Sequence, residues 1–231
     1  MKYLLLIIAM LTSIELQAQT FSEGYRVGQL TEFSVKGLLT KSGEGQMLMG
    51  RESTPYFKTT KDSEGNVTRK RVNPWHFSAE KHHHSSLQNL TGEYVWIQYS
   101  QAHFNTGFSY DTSYLVKAVN KIDRTPLKQG VKVKNTPQGS FSKGKRVGRI
   151  VKASKKGRLS KTYEITIQVG NAGNQFKHMS ISDEHVFKYA VECLKRAKKV
   201  TIHYVEKSLL DGISMRDTNY EVTEISLPQD I

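Results

Sequence analysis

The chain has 231 residues, of which 37% are hydrophobic and 10% aromatic, so it can bury one large core or two small ones, and wholesale disorder is excluded. Lys and Arg number 34 against 21 Asp and Glu, a net charge of +13 that attracts anionic partners through salt-sensitive forces. The single cysteine, Cys193, excludes an intramolecular disulfide and is predicted to be a half-buried thiol on a helix.

The N-terminus has the pattern of a secretory signal peptide. Lys2 precedes an apolar run from Leu4 to Ile14, and small and polar residues follow that run. We predict a signal peptide over 1–18, cleaved after Ala18, because the run is shorter than the roughly 20 residues of a membrane span. An uncleaved anchor is the alternative. The expected location is the periplasm or cell envelope, or the outside of the cell.

An internal repeat organises the rest of the chain. Residues 24–50 align with 144–170 without a gap, and eleven of the 27 positions are identical. These are Gly24/Gly144, Arg26/Arg146, Val27/Val147, Gly28/Gly148, Ser34/Ser154, Lys36/Lys156, Gly37/Gly157, Leu39/Leu159, Lys41/Lys161, Glu44/Glu164 and Gly50/Gly170. At a shifted offset, Tyr99, Thr112 and Tyr114 align with Tyr204, Thr218 and Tyr220. We infer two copies of one domain.

The domain boundaries follow from composition. The first domain is predicted over 21–123, and it carries a polar insertion, a loop or hairpin, over 51–74. Residues 124–142 contain two prolines and two glycines with little apolar content, which is typical of a linker. The second domain is predicted over 143–227.

The second copy shows its elements more clearly. Alternating apolar residues predict strands over 146–153, 162–169 and 176–181, with a turn at Gly157 between the first two. Apolar residues at helical spacing predict a helix over about 183–197, with Ser182 as its N-cap. Strands over 200–206 and 219–226 follow, separated by a turn at Asp211 and Gly212.

Three strands, a helix and two strands is the order of a five-stranded OB-type barrel. The first copy repeats it with a short helical stretch over 79–90 and a strand over 94–99. The predicted fold class is therefore mainly β with one helix per domain, as two tandem OB-like barrels. Another small β-barrel, or a β-sandwich with one helix, is the alternative.

The candidate ligand-binding residues are basic and aromatic. They are Lys36, Lys41, Lys156, Lys161, Arg26, Arg146, Trp96 and Tyr99. The lysines flank one hairpin in each copy, near Glu44 or Glu164, where they could clamp phosphate or carboxylate groups or form cross-strand pairs. Trp96 and Tyr99 lie in an aromatic stretch that could stack bases or sugar rings, although alternating aromatics in strands are more often core.

Other polar residues suit structure better than chemistry. Asp111 and Asp217 precede the last strand of each copy, where an Asp side chain can fix a turn. His82, His83 and His84 are weak metal candidates, because adjacent histidines point in different directions and the two-histidine spacing of zinc enzymes is missing.

No phosphate-binding loop, GxSxG elbow or Cys-His nucleophile pattern is present. We therefore predict no catalytic residues, no cofactor and no enzyme. An envelope hydrolase using His178, His185 and His203 with Asp217 is the minor alternative.

The elements RVG, SxKG and KT-E in residues 146–164 resemble a short signature of small uncharacterised bacterial proteins. The resemblance implies a bacterial origin and a common domain, with no known activity.

The expected function is an exported, non-enzymatic protein that binds a protein or an assembly in the cell envelope. Binding of an anionic polymer such as a glycan or lipopolysaccharide is the alternative. Nucleic acid is a less favoured partner, because export separates the protein from it.

Overall fold

The computed structural model describes residues 20–37, 41–50, 57–61, 63–65, 67–71, 73–102, 110–135, 140–157, 161–170, 175–207 and 218–228. The predicted signal peptide over 1–18, the turn at Asp211 and Gly212, and Asp217 lie outside these residues. Within the described part, no helix is both long and apolar enough to cross a membrane.

The fold is mainly β, with two α-helices among the described residues. The strands and helix of the first half are β1 (Thr20–Lys36), β2 (Ser42–Met49), β3 (Phe57–Lys61), β4 (Val67–Arg71), β5 (Pro74–Ala79), α1 (His84–Asn89), β6 (Tyr94–Ala102) and β7 (Tyr114–Lys121). A short 3-10 helix, Lys81–His83, leads into α1. In the second half they are β8 (Gly130–Lys132), β9 (Ser140–Lys156), β10 (Thr162–Val169), β11 (Phe176–Ile181), α2 (Glu184–Lys195), β12 (Lys199–Lys207) and β13 (Tyr220–Ser226).

The strands of each half pair in a closed order. In the first half β1 pairs with β2, β2 with β5, β5 with β7, β7 with β6, and β6 again with β1. The second half repeats this order with β9, β10, β11, β13 and β12. We call these the first and second rings. In both, the pairing of the third strand with the fifth is parallel and the other pairings are antiparallel.

The long first strand of each ring is what lets the order close. The N-terminal part of β1 pairs with β6 on one edge, and its C-terminal part pairs with β2 on the other. Gly28 lies where the two pairings overlap, and a Cβ there would lie 2.1 Å from the Leu48 carbonyl oxygen. Only glycine allows that approach. Gly148 lies at the same point of β9, 2.3 Å from the Gln168 carbonyl oxygen by the same measure.

Each ring encloses its own core. The first contains Leu30, Met47, Phe77, Leu87 and Ile97, all fully buried. The second core is larger because α2 contributes Val186, Ala190, Cys193 and Leu194 to it. Cys193 is fully buried rather than half-buried, and burial raises the pKa of its thiol to about 12.

The helix α2 has the predicted spacing but a different cap. The side chain of Asp183, not Ser182, accepts a hydrogen bond from the backbone N–H of His185 at 2.8 Å. The hydrogen bond that Asp183 accepts from the Lys134 backbone N–H, together with the one from His185, lowers the pKa of the Asp183 carboxyl. The helix ends at Lys195, and Ala197 then takes a positive φ of 47°, the left-handed turn typical of helix ends.

The two rings join through an antiparallel pairing of β1 with β9. The register runs from Ser22 opposite Lys156 to Arg26 opposite Lys152, and it makes one continuous sheet of eleven strands. Val27 of β1 lies in the second core, fully buried. We call this pairing the joint. The rings are therefore connected by a shared sheet as well as by the chain.

The predicted linker and insertion contain strands. Within 124–142, β8 pairs with β13, and β9 already begins at Ser140. The insertion over 51–74 contains the hairpin of β3 and β4, which pair only with each other among the described residues.

Candidate functional site

The first ring holds an arginine inside a cluster of aromatic rings. The Arg26 side chain is 7% exposed, and its guanidinium carbon lies 4.6 Å from the ring centroid of Trp75, 5.3 Å from that of Tyr99 and 5.1 Å from that of Tyr114. Each distance is within the range of a cation–π contact. One guanidinium nitrogen also donates to the Met49 sulfur at 3.2 Å.

The second ring repeats this cluster at the aligned positions. The guanidinium carbon of Arg146 lies 5.3 Å from the ring centroid of Tyr204 and 5.7 Å from that of Tyr220. The two tyrosine rings meet edge to face, at 87°. The first strand of each ring is thus attached to the last two by one arginine and two aromatic side chains.

These clusters account for several predicted ligand-binding residues. Arg26 and Tyr99 are buried, with Tyr99 1% exposed, so a ligand at the surface does not reach the Tyr99 ring. Trp96 lies at the joint, where the Lys195 amine is 5.1 Å from its ring centroid and 5.0 Å from that of Tyr25. This packing was not predicted, although an arginine and two tyrosines recur at aligned positions of both copies and indicate it.

A buried carboxylate supports the chain before the last strand of the first ring. Glu44 is 7% exposed, accepts a hydrogen bond from the Ser78 hydroxyl at 2.7 Å, and accepts another from the Asp111 backbone N–H at 3.2 Å. The Ser78 oxygen in turn accepts from the Thr112 backbone N–H at 3.1 Å. The Thr112 hydroxyl oxygen accepts from the backbone N–H of Tyr114 at 3.2 Å.

The second ring has the same arrangement. Glu164 is 5% exposed and accepts hydrogen bonds from the Ser180 hydroxyl at 3.0 and 2.9 Å. The Thr218 hydroxyl oxygen accepts from the Tyr220 backbone N–H at 3.2 Å. The repeated glutamates were predicted as possible surface partners of the lysines. They are instead internal hydrogen-bond acceptors that hold the third and fifth strands together.

The predicted lysines lie in different surroundings. Lys36 forms an ion pair with Asp111 at 3.0 Å, and the hydrogen bond from Lys36 to that carboxylate raises the pKa of the Lys36 amine. Lys156 lies at the joint, opposite Ser22. Lys41 and Lys161 are exposed, each one residue before a second strand. Of the four, these two offer their charge to solvent at equivalent places.

His76 and His178 occupy equivalent positions on the third strand of each ring. His76 lies within 3.0 Å of the Gln46 amide nitrogen across the β2–β5 pairing, and His178 lies within 3.0 Å of the Thr166 hydroxyl across the β10–β11 pairing. Each stands two residues before the buried serine of its ring. His178 therefore has a counterpart in the first ring, His76.

The adjacent histidines predicted as weak metal candidates, His82, His83 and His84, lie near one another at the start of α1. The rings of His82 and His83 have centroids 3.9 Å apart and are tilted by 44°, and His84 packs against Phe33. Among the described residues, no three His, Cys, Asp or Glu side chains are grouped so as to hold a metal ion. His203 lies on β12 and His178 on β11, with β13 between these strands.

Among the described residues, two surface cavities of similar volume border the rings. One, of about 400 Å³, is lined by residues of β1, β2 and β5 and of the chain before β7, including Glu32, Lys36, Glu44 and His76. The other, of about 390 Å³, lies where the two halves meet, and its lining includes Lys121, Arg124 and Arg149. The second cavity has the more basic lining, although Lys121 forms an ion pair with Glu93 at 3.0 Å.

A strand edge carries the most exposed apolar side chain of the described residues. Phe141 of β9 is 80% exposed and Val147 is 39% exposed. Lys143 and Lys145 lie between them at every second position of the strand and are exposed as well. Over this stretch β9 pairs with β12 on one edge, and no described strand pairs with the other edge. We call residues 140–147 of β9 the basic edge.

Comparison with protein families gives one match. Residues 19–126, somewhat under half of the chain, match the model of a domain of unknown function (DUF8785). No curated protein matches the chain.

Among solved structures, the chain is similar to the single-stranded DNA binding protein from Thermus aquaticus. The wild-type crystal structure gives a TM-score of 0.26 at 8% identity, covering 92% of this chain and 95% of that chain. A deletion mutant of it gives 0.24 at 9% identity, covering 93% and 98%. A replication protein A heterotrimer bound to ssDNA gives 0.23 at 8% identity, covering 92% and 50%. At these TM-scores the similarity supports no statement about what this chain binds.

Proposed function

We propose that the protein is an exported, non-enzymatic binding protein, built from two tandem OB-like barrels of duplicated origin, that engages a protein partner in the bacterial cell envelope. The common pairing order of the two rings supports the duplication, as do the aligned arginine–tyrosine clusters and the aligned Glu44 and Glu164. The resemblance at 146–164 supports the bacterial origin, and the pattern of residues 1–18 supports export.

The repeated residues favour binding over catalysis. In an enzyme, the polar groups kept in both copies would face a cavity that admits substrate. Here Arg26 is enclosed by aromatic rings and a sulfur. Glu44 is 7% exposed at the wall of the cavity of about 400 Å³, and its carboxylate accepts hydrogen bonds from the Ser78 hydroxyl and the Asp111 backbone N–H. These groups stabilise the rings, which leaves surfaces to carry the function.

The observation that carries the proposal is the basic edge. A strand with a free edge can accept an extended segment of another protein as an added strand. The exposure of Phe141, at 80%, provides an apolar anchor for such a segment. Lys143 and Lys145 favour a partner with acidic side chains.

Crosslinking in intact cells tests this. A photo-crosslinking amino acid replaces Phe141 in one strain and, as a matched control, the exposed Lys188 of α2 in another. We expect a stoichiometric protein product from position 141 and none from position 188. Equal capture at both positions, or capture of no protein at either, would sink the proposal.

Binding of an anionic polymer is the second candidate, favoured by the basic lining of the cavity between the halves. Lys121, Arg124 and Arg149 line it, and the chain carries a net charge of +13. Binding of heparin, lipopolysaccharide or single-stranded DNA should weaken strongly between about 50 and 200 mM salt, because phosphate and sulfate contacts release counterions. Arg124→Glu should then weaken polymer binding more than Lys188→Glu does. Binding that ignores salt rules this candidate out.

A further inference from the structure

The joint uses two different strand edges. The first ring contributes the edge of β1 over Ser22–Arg26, and the second contributes the edge of β9 over Lys152–Lys156. The first segment belongs to the N-terminal part of its strand, which also pairs with β6. The second belongs to the C-terminal part of its strand, which also pairs with β10. The contact between the rings is therefore head to tail rather than symmetric.

Each ring also has the edge that the other ring uses. Extended by two residues at its N-terminal end, the gapless alignment matches residues 22–26 with 142–146, which lie in the basic edge. Residues 152–156 correspond to 32–36, which lie at the C-terminal end of β1. Residues 32–36 pair with β2 on one side, and no described strand pairs with their other side. We call residues 32–36 of β1 the acceptor edge.

We propose that the partner of the basic edge is the acceptor edge of a second copy of this chain, paired in the register of the joint. This inference rests on the proposed function and names the partner. Lys143 then lies opposite Val35 of the next copy, as Glu23 lies opposite Lys155 in the joint. Because the two edges differ, each added copy leaves one edge of each kind free. The product is an open chain of molecules, or a closed cyclic oligomer if the rotation from one molecule to the next brings the last copy back to the first.

Side-chain exposure and charge fit this occupant. Val35 is 38% exposed on the acceptor edge, and Phe141 of the basic edge, 80% exposed, stands one residue before the paired segment, so pairing brings an exposed apolar side chain from each molecule to the interface. The register places Glu32 opposite Arg146, whose guanidinium lies against Tyr204 and Tyr220 within its own ring, so Glu32 contributes long-range attraction to the basic edge rather than an ion pair with Arg146. On the acceptor edge the charge of Lys36 is compensated by Asp111 at 3.0 Å, which leaves Glu32 as its acidic group. Two basic edges would instead bring lysines together, which disfavours symmetric pairing.

The expected affinity is modest. Within one molecule the chain holds the two halves of the joint at an effective concentration of the order of millimolar. Between molecules that advantage is lost, and a pairing of five residues a side is small beside a standard interface. We expect a dissociation constant of about 10–100 µM for each contact, so association depends on concentration.

Disulfide trapping tests the register, using the full-length protein purified from cells that express its own gene. The double variant Val35→Cys with Lys143→Cys places two thiols at opposed positions of neighbouring molecules. On mild oxidation we expect a ladder of disulfide-linked multimers. Each single variant forms dimers at most, and the off-register pair Val35→Cys with Lys145→Cys should give at least about tenfold less of the ladder. Cys193 is buried and does not contribute.

Sedimentation velocity of the unmodified protein gives an independent measurement. We expect the weight-average sedimentation coefficient to rise up to about 100 µM protein, and Lys143→Glu with Lys145→Glu to abolish the rise. Lys198→Glu with Lys199→Glu makes the same charge change at two exposed residues, one just before β12 and one at its start, and should leave the rise intact.

The outcomes separate this inference from the proposed function. A monomer at all concentrations, with no ladder, overturns pairing between copies. If position 141 then captures a different protein in cells, the binding function stands with another partner. If it captures nothing, both fail.

Discussion

The joint depends on a glycine where two backbones approach closely. A Cβ added at Gly24 would lie 2.4 Å from the Ala153 carbonyl oxygen and 2.8 Å from the Ser154 Cα. Both atoms belong to the backbone of β9, so no side-chain rotation relieves the overlap. Relief requires a separation of about 1 Å, which takes the hydrogen bonds between two strands out of range.

We expect Gly24→Ala to lower the free energy of unfolding by about 2–4 kcal/mol, combining about 1–3 kcal/mol of overpacking with backbone hydrogen bonds worth about 1 kcal/mol each. The damage should be confined to the joint, because each ring closes through its own strand pairings. Denaturant unfolding measures the total. A second assay has to show where the change occurs.

The two tryptophans of the chain report separately on the joint and on the core of the first ring. Trp75 lies in the first core, 4% exposed, and Trp96 lies at the joint. With fluorotryptophan incorporated, Gly24→Ala should move the fluorine NMR resonance of Trp96 and leave that of Trp75 in place. Trp75→Phe and Trp96→Phe assign the two resonances.

Gly28→Ala is the matched control. Its methyl group would lie 2.1 Å from the Leu48 carbonyl oxygen, within the first ring, so it should move the Trp75 resonance. If Gly24→Ala leaves Trp96 unchanged and the stability within about 0.5 kcal/mol of the parent protein, the close-approach argument is refuted.

Three further results are expected. Ser78→Ala should cost about 1.5–3 kcal/mol of stability, measured by urea unfolding, because it removes a hydrogen bond to the buried Glu44 carboxylate; a loss below about 0.5 kcal/mol would contradict that role. Arg26→Lys should cost at least about 1 kcal/mol despite keeping the charge, because a compact ammonium does not spread over three rings; full stability in the same assay would show that the charge alone suffices. Burial raises the pKa values of Cys193 and Tyr189 to about 12, so the unfolded chain loses these protons first, and stability should fall as pH rises above about 9 and toward 12. Thermal melts between pH 8 and 11 measure that fall, which Cys193→Ala and Tyr189→Phe should reduce, and an unchanged slope in both variants would exclude these groups as its source.

The elements of the second half follow closely from its sequence. β10 and β11 have the predicted limits, and α2 differs by one or two residues at each end. Two signals agree on where these segments begin and end. The spacing of the apolar residues changes at the same positions at which a glycine or a polar capping residue stands. β9 extends further than predicted, to Ser140–Lys156, because the alternation of Lys143 and Lys145 with small residues reads as a polar loop.

The candidate site was harder to predict. Arginine and glutamate at alternating strand positions are typical of a solvent-facing side, and the burial of Arg26 and Glu44 depends on partners that arrive from later strands. The joint was also absent from the prediction, because strand pairing between halves leaves no local pattern. The glycine at position 24 was visible as a repeat, but its partner strand was not.

The joint also sets an order for events during synthesis. The first ring has all its strands once Lys121 has been made, whereas the joint needs residues up to Lys156. In that interval Ser22–Arg26 is an unoccupied template on an otherwise finished half, open to any extended segment nearby. Slow translation between 121 and 156 should therefore lower the yield of native protein more than slow translation between 50 and 74, before the first half has closed.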